Sequence, residues 1–185
     1  MKKEFLNKFV RWHKQHYSRR QKIIFLVIQG IFFLLLLPLL LFLASQKLDK
    51  IFDFSQILLF PFNICLGAPL FVGGLFFSAW AVWAQFKIGQ GTPAPIMPAQ
   101  KLVIKAPYTY CRNPMGLGFG LWLIGFGVVF NSFSFTLISV FLSVLLLLYY
   151  KFIEEEELAV KFGQEYLEYK KRTSFLMPTF RRKKS

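Results

Sequence analysis

The feature that most constrains this chain is an uncharged apolar run from Ile23 to Leu43. At a rise of about 1.5 Å per residue, a helix over this run is long enough to cross a bilayer core of about 30 Å. The run is too long for the apolar part of a secretory signal, and the SQKLDK that follows it is a poor cleavage site. The sequence therefore predicts a permanent membrane span here.

A second apolar run extends from about Gln56 to Phe86, and it contains Pro61, Pro69 and the pair Gly73–Gly74. Because proline interrupts the hydrogen bonds of a helix, we expect a kinked or re-entrant entry followed by a span. The residues that come next, 87–113, include GQGTPAPIMPAQ. Prolines and glycines at this density are typical of a non-helical loop.

The last apolar stretch, Met115 to Phe152, is interrupted once, by NSFS at 131–134. The interruption divides it into two segments of about 17 residues, which is the lower limit for a span. Together the runs predict an all-α integral membrane protein with about four transmembrane helices, including a C-terminal helical hairpin. A cytoplasmic Pro-rich loop and a C-terminal cytoplasmic helix complete the predicted fold.

The basic residues predict the orientation of these spans. With both termini cytoplasmic, all Lys and Arg residues except Lys47 and Lys50 would lie inside, as the positive-inside rule requires. The formal net charge of +14 is not accompanied by a zinc-finger or RNA-binding pattern, so we expect contact with anionic lipid and no nucleic acid. We expect a multi-pass protein of a bacterial inner membrane.

Two polar clusters interrupt the apolar chain: PYTYCRNPMGLG at 107–118, and EEEELAVKFGQEY from Glu154. Because a helical hairpin returns the chain to the face where it began, we expect the two clusters to be neighbours. Adjacent carboxylates at a membrane boundary repel one another, which favours a cationic partner such as Arg112, Lys151 or a ligand. A snorkelling arginine and a solvated acidic turn are the alternative. The residues alone predict a polar pocket and no particular reaction.

The spacing of the two clusters resembles a known family. KLVIKAPYTYCRNPM, a short hairpin and then EEEELAVKFGQEYLEYKKR are similar to the C-terminal half of the isoprenylcysteine carboxyl methyltransferase family, whose relatives include phospholipid N-methyltransferases. The resemblance covers about residues 91–178, and GTPAPIMP is similar to the loop of bacterial members. The matching positions are Leu102, Val103, Tyr108, Arg112, Asn113 and Pro114, and then Glu154, Glu155, Leu158, Phe162, Gly163, Tyr166 and Tyr169.

The resemblance implies a membrane-embedded methyltransferase that uses S-adenosylmethionine and acts on a lipophilic substrate by direct in-line methyl transfer. The substrate would be an isoprenylcysteine-type carboxylate, a phospholipid or another lipid. Arg112 and Glu154 take the implied catalytic roles, and Arg112 and Lys151 would contact the substrate. The implied cofactor-binding residues are Gln100, Lys101, Leu102, Val103, Tyr108, Asn113, Pro114, Met115, Gly116, Glu154 and Glu155.

On this basis we expect three regions: a basic interfacial segment at 1–22, N-terminal membrane helices at 23–86 and a cofactor-binding region at 87–185. Three positions depart from the family pattern. At one of them, Tyr150 and Lys151 stand near the place of an arginine that is thought to meet the substrate in the prenyl-cysteine enzymes. Ala106 replaces a glycine, which requires that its φ is not positive. Gly116 replaces a tyrosine and leaves the acceptor open. Other interpretations are a relative of the nicotinamide-dependent membrane reductases and a non-catalytic membrane interaction protein.

The remaining candidate sites have structural interpretations. His13 and His16 could share a helix face, but no third ligand is in view, so we expect no metal site. Gly74 and Ser78 have the spacing of helix packing in membranes. The glycines at 116, 118 and 120 do not fit the G-x-G-x-x-G nucleotide pattern, and they too favour close packing of a membrane helix.

Overall fold

The computed structural model describes residues 18–177 apart from 55, 94–96 and 98. Within these residues the secondary structure is helical and contains no strand. Three of the helices are long and apolar enough to cross a membrane, and the helix Pro114–Val129 is shorter but also apolar. The prediction of an all-α membrane protein is therefore confirmed. The helices are α1 (Arg19–Ile51), α2 (Phe62–Gly89), α3 (Pro114–Val129), α4 (Phe133–Phe162) and α5 (Gln164–Arg172).

The C-terminal hairpin has the predicted boundaries, because α3 ends at Val129 and α4 begins at Phe133. Residues 56–61 are irregular, and α2 then runs without interruption through Pro69. A kinked or re-entrant entry to this helix stays a prediction. Pro69 lies inside this helix, where its missing N–H removes one intrahelical hydrogen bond.

Each of the three long helices also contains one five-residue π-helical turn. These turns are Phe32–Leu36 in α1, Gln85–Gly89 in α2 and Tyr150–Glu154 in α4. A π-helical turn changes the direction in which the following side chains point, and such turns are frequent at functional sites. Residues 1–17 of the predicted basic segment 1–22, with His13 and His16, lie outside the described residues, as does the basic C-terminal RRKKS.

The chain divides into two compact units. The first unit is drawn from Met1–Gln29, Trp80–Pro114 and Leu148–Ser185, and the second consists of Gly30–Ala79 and Met115–Leu147. Of the site residues predicted from the sequence, only Met115 and Gly116 belong to the second unit. The candidate site is therefore a property of the first unit.

In the second unit, α2 and α3 approach so closely that glycine is required at their contact. A Cβ on Gly74 would lie 2.4 Å from the backbone nitrogen of Trp122 and 2.7 Å from the carbonyl oxygen of Gly118. A Cβ on Gly118 would in turn lie 2.5 Å from the backbone nitrogen of Ser78. The packing role predicted for Gly74 and Ser78 is confirmed. Small residues allow this approach because lipid supplies no hydrophobic drive between helices.

The turn between α3 and α4 is held by polar side chains of the second unit. The Asp49 carboxylate accepts hydrogen bonds from the Ser132 hydroxyl at 2.5 Å and from the Ser134 backbone N–H at 2.8 Å. Asn131 exchanges two hydrogen bonds with the backbone of Leu58, at 3.1 and 2.8 Å. Asp49 thus satisfies an N–H at the start of α4 that has no partner within its own helix.

Two adjacent glycines of α2 test the close contact. Gly74→Ala should lower the free energy of unfolding by about 1–3 kcal/mol, because the new methyl group must displace the backbone of α3. Gly73 is exposed, and a Cβ there has no heavy atom within 4 Å, so Gly73→Ala serves as the matched control. Thermal unfolding in detergent measures both variants. Equal unfolding midpoints would contradict the contact.

Candidate functional site

Arg112 lies at the centre of a buried polar cluster in the first unit. Its Nε and Nη2 groups donate to the same oxygen of Glu155, Oε1, at 2.8 and 2.6 Å. The two side chains are only 11% and 6% exposed. This pair agrees with the expectation that a cation such as Arg112 meets the glutamate cluster. Since both charges are largely removed from water, each depends on the other.

The C-terminal helix completes the coordination of both side chains. Lys170 places its Nζ atom 2.6 Å from the second oxygen of Glu155. The Nη1 group of Arg112 donates to the backbone carbonyls of Lys170, at 3.1 Å, and Thr173, and the Arg112 backbone N–H donates to the Ser174 carbonyl at 2.9 Å. We call this set of contacts the Arg112 clamp. It joins α4, the loop before α3 and the chain at the end of α5.

Glu154 differs from its neighbour, although both belong to the same acidic run. It is the last residue of the π-helical turn of α4 and is partly exposed. Within the described part of the chain, its carboxylate accepts no hydrogen bond and forms no ion pair. Adjacent helical residues point about 100° apart, so the clamp on Glu155 directs Glu154 elsewhere.

Tyr108 connects the loop before α3 to two helices. Its hydroxyl donates to Oε1 of Gln85 at 2.8 Å, and its backbone carbonyl accepts a hydrogen bond from the Tyr169 hydroxyl at 2.7 Å. Burial raises the pKa of the Tyr108 hydroxyl well above its usual value, and the nearby charge of Glu154 raises this pKa further. Tyr108 is therefore a neutral hydrogen-bond donor.

The residues before Tyr108 are fixed at the end of α2. The backbone N–H groups of Gln100 and Lys101 both donate to the Gly89 carbonyl, at 2.6 and 3.2 Å. A Cβ on Gly89 would lie 2.9 Å from Cγ2 of Val103, so glycine allows the two segments to approach. The Nζ group of Lys161 donates to the Ala99 carbonyl at 2.5 Å. This part of the predicted cofactor loop is thus tied to both α2 and α4.

The other predicted site residues have less specific positions. Asn113 donates to the Phe175 carbonyl at 3.5 Å, and Pro114 is the buried first residue of α3. Lys151 is exposed, with its Nζ atom 5.8 Å from the centre of the Phe152 ring. Leu102 is partly buried. Ala106 does not have a positive φ, so an alanine can stand where the family pattern has a glycine.

Several residues of the site are not among those predicted as its ligands: Gln85, Lys161, Lys170 and Gly163. Gly163 has φ +55 and ψ −130, a conformation that side chains rarely adopt, and it separates α4 from α5. The position of Gly163 in the family pattern could have identified it from the sequence. Gln85 offered a weaker signal as a polar residue at the end of an apolar helix.

A family model described as phospholipid methyltransferase matches residues 62–165 of the 185. The matched region begins with α2 and includes Arg112, Glu154 and Glu155. The chain belongs to the phospholipid methyltransferase family. This membership confirms the resemblance found in the sequence, since the family is related to the isoprenylcysteine carboxyl methyltransferases. No curated protein matches the chain.

Membership of the phospholipid methyltransferase family changes how the acidic run is interpreted. It favours methyl transfer over nicotinamide-dependent reduction, because methyl transfer is what the family's name describes. Within this family member, the two glutamates have distinct surroundings. Glu155 is saturated by Arg112 and Lys170, whereas Glu154 retains its capacity to accept hydrogen bonds. Contacts of Arg112 and Glu155 with a cofactor or substrate stay predictions.

Cys111 provides a probe of the Arg112 clamp. Its side chain is fully buried beside Arg112, and burial raises the pKa of its thiol to about 11. Because the thiolate is the reactive form, iodoacetamide should modify Cys111 slowly at neutral pH in a Cys65→Ser background. Glu155→Gln should speed this modification by about tenfold or more, because breaking a buried pair is destabilising. Mass spectrometry over time measures the rate.

The matched control for this experiment is Glu168→Gln, which makes the same substitution at an exposed position of α5. It should leave the rate at Cys111 within about twofold of the parent protein, as surface substitutions have small effects. Equal acceleration by the two substitutions would show that the clamp does not hold this region closed.

Proposed function

We propose that this chain is a membrane-embedded methyltransferase that uses S-adenosylmethionine as methyl donor and acts on a lipophilic substrate. The substrate is an isoprenylcysteine-type carboxylate, a phospholipid or another lipid. The observation that carries the proposal is the contrast between two adjacent glutamates. Glu155 is held in the Arg112 clamp, and Glu154, one residue before it, has no protein partner among the described residues.

The residues of the first unit fit this cofactor. S-adenosylmethionine carries a sulfonium cation, an amino group and two ribose hydroxyls, and a free carboxylate can accept hydrogen bonds from these groups or offset the charge. Glu154 offers such a carboxylate beside the neutral hydroxyl of Tyr108. Leu102 and Val103 supply apolar surface from the anchored loop. The proposed cofactor site therefore pairs one carboxyl group that has no partner among the described residues with apolar walls.

When bound, the cofactor supplies an electrophilic methyl group for direct displacement. The tasks of the protein are then to hold the reacting groups in line and to exclude water. Glu154 binds and orients the donor, and the Arg112 clamp fixes the helix that carries it. Buried Tyr108 and Tyr166 keep water from the neighbouring space. A carboxylate substrate needs no general base, whereas an amine must lose its proton before it reacts.

The proposed orientation places this site at the cytoplasmic face of a bacterial inner membrane. The donor then enters from the cytosol, and the lipid substrate arrives laterally from the bilayer. Lys151 is exposed and lies three residues before Glu154 in the chain. It is therefore suited to contact an anionic part of the substrate or of surrounding lipid. Arg112 supports substrate binding by positioning, since its guanidinium is engaged in the clamp.

Glu154 and its neighbour can be separated by experiment. Glu154→Gln should weaken binding of S-adenosylhomocysteine by about tenfold or more, because hydrogen bonds to a charged acceptor contribute about 1.5–3 kcal/mol. Its thermal stability should stay close to that of the parent, since no partner in the described chain is lost. Glu155→Gln should instead lower the thermal stability. Isothermal titration and thermal unfolding in detergent measure the two effects.

The result that would contradict the assignment is unchanged affinity in Glu154→Gln in a protein that binds S-adenosylhomocysteine. Glu168→Gln, at an exposed position of α5, is the matched control for both measurements.

The reaction itself is tested with membranes that contain the protein and a methyl-labelled donor. Label should enter the lipid fraction, and the Glu154→Gln protein should incorporate less. Label in a lipidated protein would indicate an isoprenylcysteine-type acceptor, and label in extracted phospholipid would indicate a head-group acceptor. A correctly folded protein that neither binds S-adenosylhomocysteine nor transfers label would refute the proposed function.

A further inference from the structure

Lys161 is a partly buried lysine near the end of α4. Its Nζ group donates to the Ala99 carbonyl at 2.5 Å and lies 5.4 Å from the centre of the Phe162 ring. Within the described part of the chain it forms no ion pair. An ammonium group carries several N–H donors, so Lys161 keeps donors for an acceptor besides Ala99.

The usual partner of a lysine at this position would be Glu157, four residues earlier in the same helix. A glutamate that precedes a lysine by four residues has the favourable order for an ion pair on a helix surface. Among the ion pairs of the described residues, this one is absent. The Lys161 side chain extends instead to the Ala99 carbonyl in the loop before α3. Lys161 is therefore not accounted for by a surface ion pair within α4.

Both cations of the Arg112 clamp are already engaged. S-adenosylmethionine ends in a carboxylate, and a carboxylate in a poorly hydrated site needs a cationic or hydrogen-bonding partner. All three guanidinium nitrogens of Arg112 donate within the protein. Lys170 is paired with Glu155 in the same cluster. A cation for the carboxylate of a ligand therefore has to come from outside the clamp.

Lys161 lies on the same face of α4 as Glu154. The backbone at Glu154 is right-handed helical and continues into the regular helix Glu155–Phe162, so seven residues correspond to about two turns and a rise of about 10 Å. Across from this face, Ala99 directly precedes Gln100, the first residue of the predicted cofactor loop. The Lys161 ammonium thus lies beside the loop, on the face of the helix that carries Glu154.

The other lysines of the loop and of the start of this region are more open to solvent. An exposed lysine is strongly hydrated and flexible, so its ion pairs contribute little to binding. Lys161 is only partly exposed, and the Ala99 carbonyl already holds its Nζ group, so it loses less freedom when it meets a ligand. The exposed lysines are Lys101, Lys105 and Lys151.

We propose that Lys161 binds the carboxylate of the methyl donor, while Glu154 accepts hydrogen bonds from its amino or hydroxyl groups. This inference rests on the proposed function, because it assigns one part of the S-adenosylmethionine site. The face of α4 then offers a carboxyl group and, two turns later, an ammonium group to the two kinds of polar group on the donor. A donor that carries its carboxylate is bound more tightly than one without it.

The binding test compares S-adenosylhomocysteine with its decarboxylated analogue, which differs in that group alone. The parent protein should bind S-adenosylhomocysteine about tenfold more tightly, as expected for one hydrogen bond between charged groups. Lys161→Met keeps the length of the side chain and removes its charge. It should weaken binding of S-adenosylhomocysteine by about tenfold and binding of the analogue by less than about twofold. Isothermal titration in detergent measures the four affinities.

A packing role for Lys161 predicts an equal loss of affinity for the two ligands, and this result would overturn the inference. Unchanged affinity for S-adenosylhomocysteine in Lys161→Met would overturn it as well. Lys171→Met makes the same substitution at an exposed position of α5 and should leave both affinities within about twofold of the parent. A parent protein that binds neither ligand would refute the proposed function, and this inference with it.

If Lys161→Met does not fold, the parent protein itself provides the test. Lys161 is acetylated with an amine-reactive ester, and mass spectrometry follows the rate. S-adenosylhomocysteine at about ten times its Kd should slow this reaction by about tenfold, because only the unbound fraction reacts. The decarboxylated analogue at the same saturation should slow it by less than about twofold, and Lys171 in the same sample is the reference. Equal protection by the two ligands, or none, would overturn the inference.

Discussion

The first unit depends on the buried ion pair between Arg112 and Glu155. Neither charge could be placed there alone, because an unpaired ion in a poorly hydrated site is costly. The pair therefore imposes an arrangement on the segments that carry it: α4 must present Glu155 to the loop before α3, and the chain after α5 must supply carbonyl oxygens for the remaining N–H groups. The direction of Glu154 follows from this constraint.

The order of the membrane helices could be predicted from the sequence, because a membrane span requires an apolar run of sufficient length and low polarity. The apolar run from Ile23 to Leu43 lies within α1, and the break at NSFS coincides with the turn between α3 and α4. The packing of α2 on α3 was also predictable, since glycine and serine at a spacing of four are typical of close helix contacts. The continuity of α2 through Pro69 could not be predicted, because residue type alone does not reveal whether a helix continues past a proline.

The site was predictable as a region and less so in its details. Arg112 and the acidic run were identified as partners, and the family spacing included both. Which glutamate is paired depends on the helical phase of α4, which the π-helical turn at Tyr150–Glu154 sets. The pairing of Tyr108 with Gln85 joins residues 23 positions apart through their side chains, and no pattern in either segment specifies it.

Three acceptors around Arg112 are main-chain carbonyls at the end of α5 and just after it, those of Lys170, Thr173 and Ser174. Every residue type carries such an oxygen, so the identities of these residues have little influence on whether the arginine is satisfied. The number of residues is a different matter, because a one-residue deletion in this segment would displace these carbonyls from the guanidinium and the backbone N–H of Arg112. This segment should therefore tolerate changes of residue type better than changes of length.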